Sequence, residues 1–161
     1  MAIEPGLSGP HLSAAFLCEK VLHERDGVAS FIRVVDRFTV AVPPKLPENV
    51  ILPPGMFPPP IVQFFLAVSI KSGTLTTGQY QMTIKLSKDG AIKLPDNELK
   101  VFLNGSDDNG VLVILPVNLP NPEEGLYWFD IYFETGLITR VPLRILYQQM
   151  QFPQMPFPQK G

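Results

Sequence analysis

Apolar and polar residues alternate along most of this chain. From Gly78 to Ser87, Tyr80, Met82, Ile84 and Leu86 fall on one side, and Gln79, Gln81, Thr83 and Lys85 on the other. A period of two is what a strand with one buried and one wet face requires. Val62, Phe64, Leu66, Val68 and Ile70 share a face in the same way within Ile61 to Lys71. Leu126 to Glu134 is the most aromatic element, with Tyr127, Phe129, Ile131 and Phe133 opposed to Trp128, Asp130, Tyr132 and Glu134.

Turn signals separate these runs. Ser72-Gly73, Thr77-Gly78, Lys88-Asp89-Gly90, Gly105 to Gly110, Pro120 to Gly125 and Thr135-Gly136 recur roughly every ten residues. Short strands at that spacing, without a convincing helix, predict a single antiparallel β-sandwich, immunoglobulin-like or C2-like, of roughly seven to nine strands. Leu99 to Leu103, Val111 to Val117 and Leu137 to Leu146 supply further strands.

Two stretches interrupt the pattern. Ser13 to Glu24 carries a helical stripe of Ala14, Leu17, Cys18, Val21 and Leu22, yet Asp26-Gly27 follows it. Asp-Gly between apolar runs is a hairpin signal, so a β-hairpin is expected, with Val28 to Val42 as its return and Ile32, Val34, Phe38 and Val40 in step. Pro43 to Pro60 holds eight of the 18 prolines and excludes a central strand. It reads as a long, stiff connection whose middle, Val50-Ile51-Leu52, lies on the body.

These boundaries give a flexible leader over 1–12, a sandwich over 13–147 and a Pro/Gln-rich tail over 148–161. In the tail, Phe152, Met155 and Phe157 stand among Pro153, Pro156 and Pro158. A proline-stiffened segment with apolar side chains loses little entropy on docking, which makes these three residues candidates for binding a partner or another subunit.

Composition narrows the function classes. Charged residues make up 17% and the net charge is -2, which argues against a general nucleic-acid binder. The one cysteine, Cys18, cannot form an internal disulfide and fits a reducing compartment. Met1 to Pro10 lacks the pattern of a signal peptide, and apolar runs such as Val111 to Leu115 are too short to span a bilayer. The expected location is the cytoplasm, with no membrane partner.

Catalytic vocabulary is sparse. Cys18 and His23, five residues apart on one strand, would face opposite ways, and His11 sits in the leader. Their spacing fits no zinc motif. Asp107-Asp108-Asn109, Asp89 and Asp96 lack the alternating acidic pattern of a calcium loop, and adjacent Asp and Asn are ordinary turn formers. No phosphate loop, nucleophile elbow or His-Glu-x-x-His motif is present. A non-enzyme without cofactor or metal is expected. Trp128 and Tyr132, opposite the core-facing aromatics, are candidates for an aromatic platform that binds a protein or a sugar.

Two segments resemble a known family. Ala15-Phe16-Leu17-Cys18-Glu19 followed by Asp26-Gly27-Val28-Ala29-Ser30-Phe31-Ile32 is similar to the opening of an uncharacterised bacterial family of small β-sandwich proteins. Gly125-Leu126-Tyr127-Trp128-Phe129 through Arg140-Val141-Pro142-Leu143 resembles that family's closing hairpin. The resemblance implies a sandwich of bacterial or phage origin and supplies no activity. The expected function is a non-catalytic binding or adaptor module acting through protein contacts or self-association. A sandwich that binds a small ligand or carbohydrate is the alternative.

Overall fold

Alternating side chains can satisfy both faces of a strand only if the apolar faces of two sheets meet. The computed structural model describes residues 9–105 and 108–151 and realises that arrangement. Ten strands form: β1 (His11–His23), β2 (Ala29–Val35), β3 (Arg37–Val42), β4 (Ile61–Lys71), β5 (Gly78–Lys88), β6 (Ala91–Ile92), β7 (Asn97–Leu103), β8 (Gly110–Pro120), β9 (Gly125–Phe133) and β10 (Gly136–Gln149). One sheet has the order β2-β1-β4-β8. The other runs β3-β10-β9-β5-β6, with β7 also paired to β5. The protein is an all-β sandwich.

The predicted inward residues line the interior. Phe64, Leu66, Val68 and Ile70 of β4 face Met82, Ile84 and Leu86 of β5 and Tyr127, Phe129, Ile131 and Phe133 of β9, all buried in one cluster. Phe64 bridges the sheets, its ring 5.2 Å from that of Phe38 and 5.9 Å from that of Phe129.

Several expectations are corrected. The hairpin expected from Ser13 forms, but its first strand, β1, begins earlier, at His11, which pairs with Lys71. His11 therefore belongs to the sheet and not to a leader. Val28 to Val42 is two strands in different sheets, because the chain crosses over at Asp36. There the Asp36 carboxylate takes two hydrogen bonds from Arg37, at 2.8 and 3.1 Å, and the Arg144 amide donates to the Asp36 carbonyl at 2.8 Å. The Arg37 guanidinium holds the Asp36 carboxyl below the usual carboxylate range. Ile32 and Val34 are consequently exposed while Val40 is buried.

The sandwich is also not wholly antiparallel. β3 runs parallel to β10, from Arg37↔Arg144 to Val42↔Gln149, so Gln148 and Gln149 complete a strand and do not begin a tail. The proline-dense connection contains no strand, as expected. Its middle does not lie on the body: Ile51 is 93% exposed and Val50 45%, with Leu52 half-buried.

Tyr127 fixes the turn before β9. Its hydroxyl accepts a hydrogen bond from the Glu123 amide at 2.8 Å and donates to the Glu123 carbonyl at 3.0 Å, tying the turn to a ring that is 1% exposed. Burial pushes the Tyr127 phenol up. Tyr127→Phe removes both bonds and keeps the packing. The expected loss is about 1–2 kcal/mol, read by denaturant titration. An unchanged midpoint would mean that the turn holds itself.

Candidate functional site

The sandwich presents two outer faces. On the outside of the six-stranded sheet, Trp128 and Tyr132 project from β9 beside Asp130, as the alternation requires. Register then supplies what sequence could not. Arg140 of β10 lies opposite Asp130, and Lys85 of β5 lies opposite it on the other side. Arg140 Nε donates to Asp130 Oδ1 at 2.6 Å, and its guanidinium lies 4.6 Å from the Trp128 ring centre. Lys85 Nζ sits 5.5 Å from the centre of the Tyr132 ring and 3.3 Å from Asp96.

Each aromatic ring therefore has a cation over it, and both are half-buried. The two predicted platform residues are brought together on one face, but a ring covered by a guanidinium or ammonium offers less flat surface to a sugar. The surrounding concavity, reaching Ser87 and Ile92, has a volume of about 510 Å³. Between the sheets, beside Leu66, Leu86 and Phe129, the gap is about 90 Å³. That is far below the ~300 Å³ at which ligand pockets begin.

The four-stranded sheet has an outer face of a different character. Three cross-strand rows cross it: Val34–Cys18–Phe65–Pro116, Phe16–Ala67–Ile114 and Ala14–Ser69–Leu112. No charged residue stands in any of them, and Ser69 is the one hydroxyl. Val34 is 62% exposed and Leu112 43%, while Phe16, Phe65 and Ile114 are half-buried. An antiparallel sheet that faces water on one side shows polar residues there. This one does not.

Sequence reasoning missed this face, although the signal was present. Phe64 to Val68, Val111 to Leu115 and Ala14 to Cys18 are continuous apolar runs. Such runs mark strands covered on both faces, whereas single-face alternation marks a wet side.

The remaining candidates find these places. Cys18 is fully buried, its thiol pushed up by burial, on the face opposite Leu17. His23 ends β1 and is exposed. Asp89 pairs with Lys88 at 3.0 Å, and Glu123 bridges Lys88 at 3.3 Å and Lys93 at 3.1 Å. Those two ammonium groups, Lys93 foremost, hold the Glu123 carboxyl below its usual range. Among the described residues no three His, Cys, Asp or Glu side chains converge on a point. No helix among them is long and apolar enough to cross a membrane. Asp107, and the tail candidates Phe152, Met155 and Phe157, lie outside the described residues.

Compared with known proteins, the chain matches no family model and no curated protein.

Proposed function

We propose that this protein is a non-catalytic binding module that acts through protein contacts, in the cytoplasm of a bacterial or phage system. The observation that carries the reading is the outer face of the four-stranded sheet, three strands deep in apolar side chains with no charge in its rows. Large exposed apolar patches are uncommon on monomers and mark contact surfaces. The resemblance of Ala15 to Glu19 and of Gly125 to Leu143 to a bacterial sandwich family supports the setting.

A photo-crosslinking phenylalanine analogue tests the reading. It is placed at position 112 on this face and, separately, at position 102, where Phe102 is 60% exposed on another strand. Expected are light-dependent polypeptide adducts from position 112 and none from 102. No adduct from 112 in cells producing the protein defeats the reading.

The 510 Å³ concavity beside Trp128 and Tyr132 favours a second reading, a small-ligand or carbohydrate site. Trp128 is the only tryptophan, so its fluorescence reports on that face alone. Quenching by a member of a glycan panel supports the second reading, and no response across the panel removes it.

A further inference from the structure

Independently of the outer face of the four-stranded sheet, we propose that an apolar groove at one end of the sandwich binds residues 152–158 of the same chain, extended as a polyproline II helix. The groove lies where β3 and β10 end and β4 begins, between Pro43, the connection from Met56 to Pro60, Asn121 and Met150. Its volume is about 580 Å³, within the ~300–1,000 Å³ of ligand pockets. No residue lining it is charged, and Asn121 alone has a polar side chain. Met56 is 51% exposed and Met150 36%, so two adaptable thioethers stand open at its walls beside Phe57. Apolar grooves with an aromatic wall are what proline-rich segments dock into.

The course of the chain names the occupant. The Met150 amide donates to the Val42 carbonyl at 3.0 Å, carrying the pairing of β3 with β10 past Gln149. The chain therefore leaves its last strand along the groove wall. It continues as Phe152-Pro153-Gln154-Met155-Pro156-Phe157-Pro158, without a charge to conflict with the uncharged lining. A polyproline II helix has three residues per turn and rises about 3.1 Å per residue, so Phe152 and Met155 fall on one face about 9 Å apart. Its carbonyls have no internal partners. The Asn121 amide N–H is already taken by the Pro60 carbonyl at 2.7 Å, which leaves the Asn121 side-chain amide to meet them. Three prolines reduce the entropy lost on docking. A tether of two residues also holds the segment at an effective concentration of about 1 mM, so a contact too weak to retain a free peptide suffices here.

Methyl NMR of the methionines in the full chain tests the proposal. The deciding signal is Met56, which lies far from the segment in sequence, and Met82, 0% exposed in the core, reports that the sandwich is intact. Phe152→Ala combined with Met155→Ala is expected to shift the Met56 signal and leave Met82 in place. Gln154→Ala, on another face of the helix, moves neither. A synthetic peptide of residues 151–161, added to the double variant at about 1 mM and above, should return Met56 toward its wild-type position and saturate.

A Met56 signal untouched by the double substitution overturns the proposal, as does a peptide without effect at those concentrations. So does a wild-type Met56 shift that changes between about 20 and 1,000 µM protein, because a segment docked on its own chain does not respond to dilution. None of these outcomes bears on adducts at position 112, which test the binding module separately.

Discussion

Phe64→Ala is expected to remove about 3–5 kcal/mol of stability, the largest effect of any single truncation in this core. The ring is 2% exposed and contacts Phe38 and Phe129 across the interior, so one side chain of the four-stranded sheet touches two strands of the other. Truncation loses the transfer free energy and leaves a cavity that two rings on different strands cannot close together. Aromatic pair geometry adds roughly 0.5–1.5 kcal/mol per pair beyond area. Urea titration beside Phe102→Ala, an exposed ring expected to stay within about 0.5 kcal/mol of wild type, provides the comparison. If Phe64→Ala does not fold, Phe64→Leu keeps much of the volume and should lose about 1–2 kcal/mol. Similar losses for Phe64 and Phe102 would show that the bridge does not hold the sheets.

Gly110→Ala is expected to lose about 2–3 kcal/mol, although it adds a single methyl group. Gly110 opens β8 opposite Lys71 at the last rung of the β4–β8 ladder. A Cβ there would run into the Ile70 carbonyl oxygen and come within 3.0 Å of its carbon. A backbone atom in a central strand cannot swing aside as a side-chain tip can, so β8 must lift from β4. That movement strains the hydrogen bond from the Ser72 amide to the Asn109 carbonyl at 2.9 Å, and the one from Lys71 Nζ to the Asp108 carbonyl at 3.0 Å. Hydrogen exchange should quicken at Val111 and Ser72 and stay unchanged at Tyr127 and Ile131. A uniform change across the chain would contradict the local origin.

What sequence could disclose depended on whether an element's cause lies within it. β5 and β9 were legible because each alternates cleanly, and their inward residues are the buried ones. The first hairpin was legible through Asp26-Gly27, whose glycine takes a φ of 83°. The break at Asp36 was not, since Asp-Arg is no turn signature. Arg37 and Arg144 satisfy its carboxylate and carbonyl there, and Arg144 is adjacent in space but distant in sequence, on β10. Parallel pairing of β3 with β10 leaves no mark on periodicity, which is two in either direction.

The sites divide along the same line. Alternation puts Trp128 and Tyr132 on one face, while the cations above them depend on a register set by β5, β9 and β10 together. The apolar outer rows were written in Phe64 to Val68 and Val111 to Leu115. They read as one buried face because only alternate residues of each run were weighed, while Phe65, Ala67, Leu112 and Ile114 make the second face apolar as well.

The pairing of β3 with β10 also sets a timetable for folding. Arg37 and Arg144 are roughly a hundred residues apart, and closing so long a loop is slow and entropically opposed. As the chain emerges from a ribosome, the first hairpin can form at once and await β4. β3 cannot, because the strand that completes its ladder has not yet been made. Until β10 arrives, β3 is an unsatisfied edge carrying Phe38 and Val40, open to pairing with other nascent chains. The crossover at Asp36 thus makes β3, unlike the hairpin before it, dependent on β10.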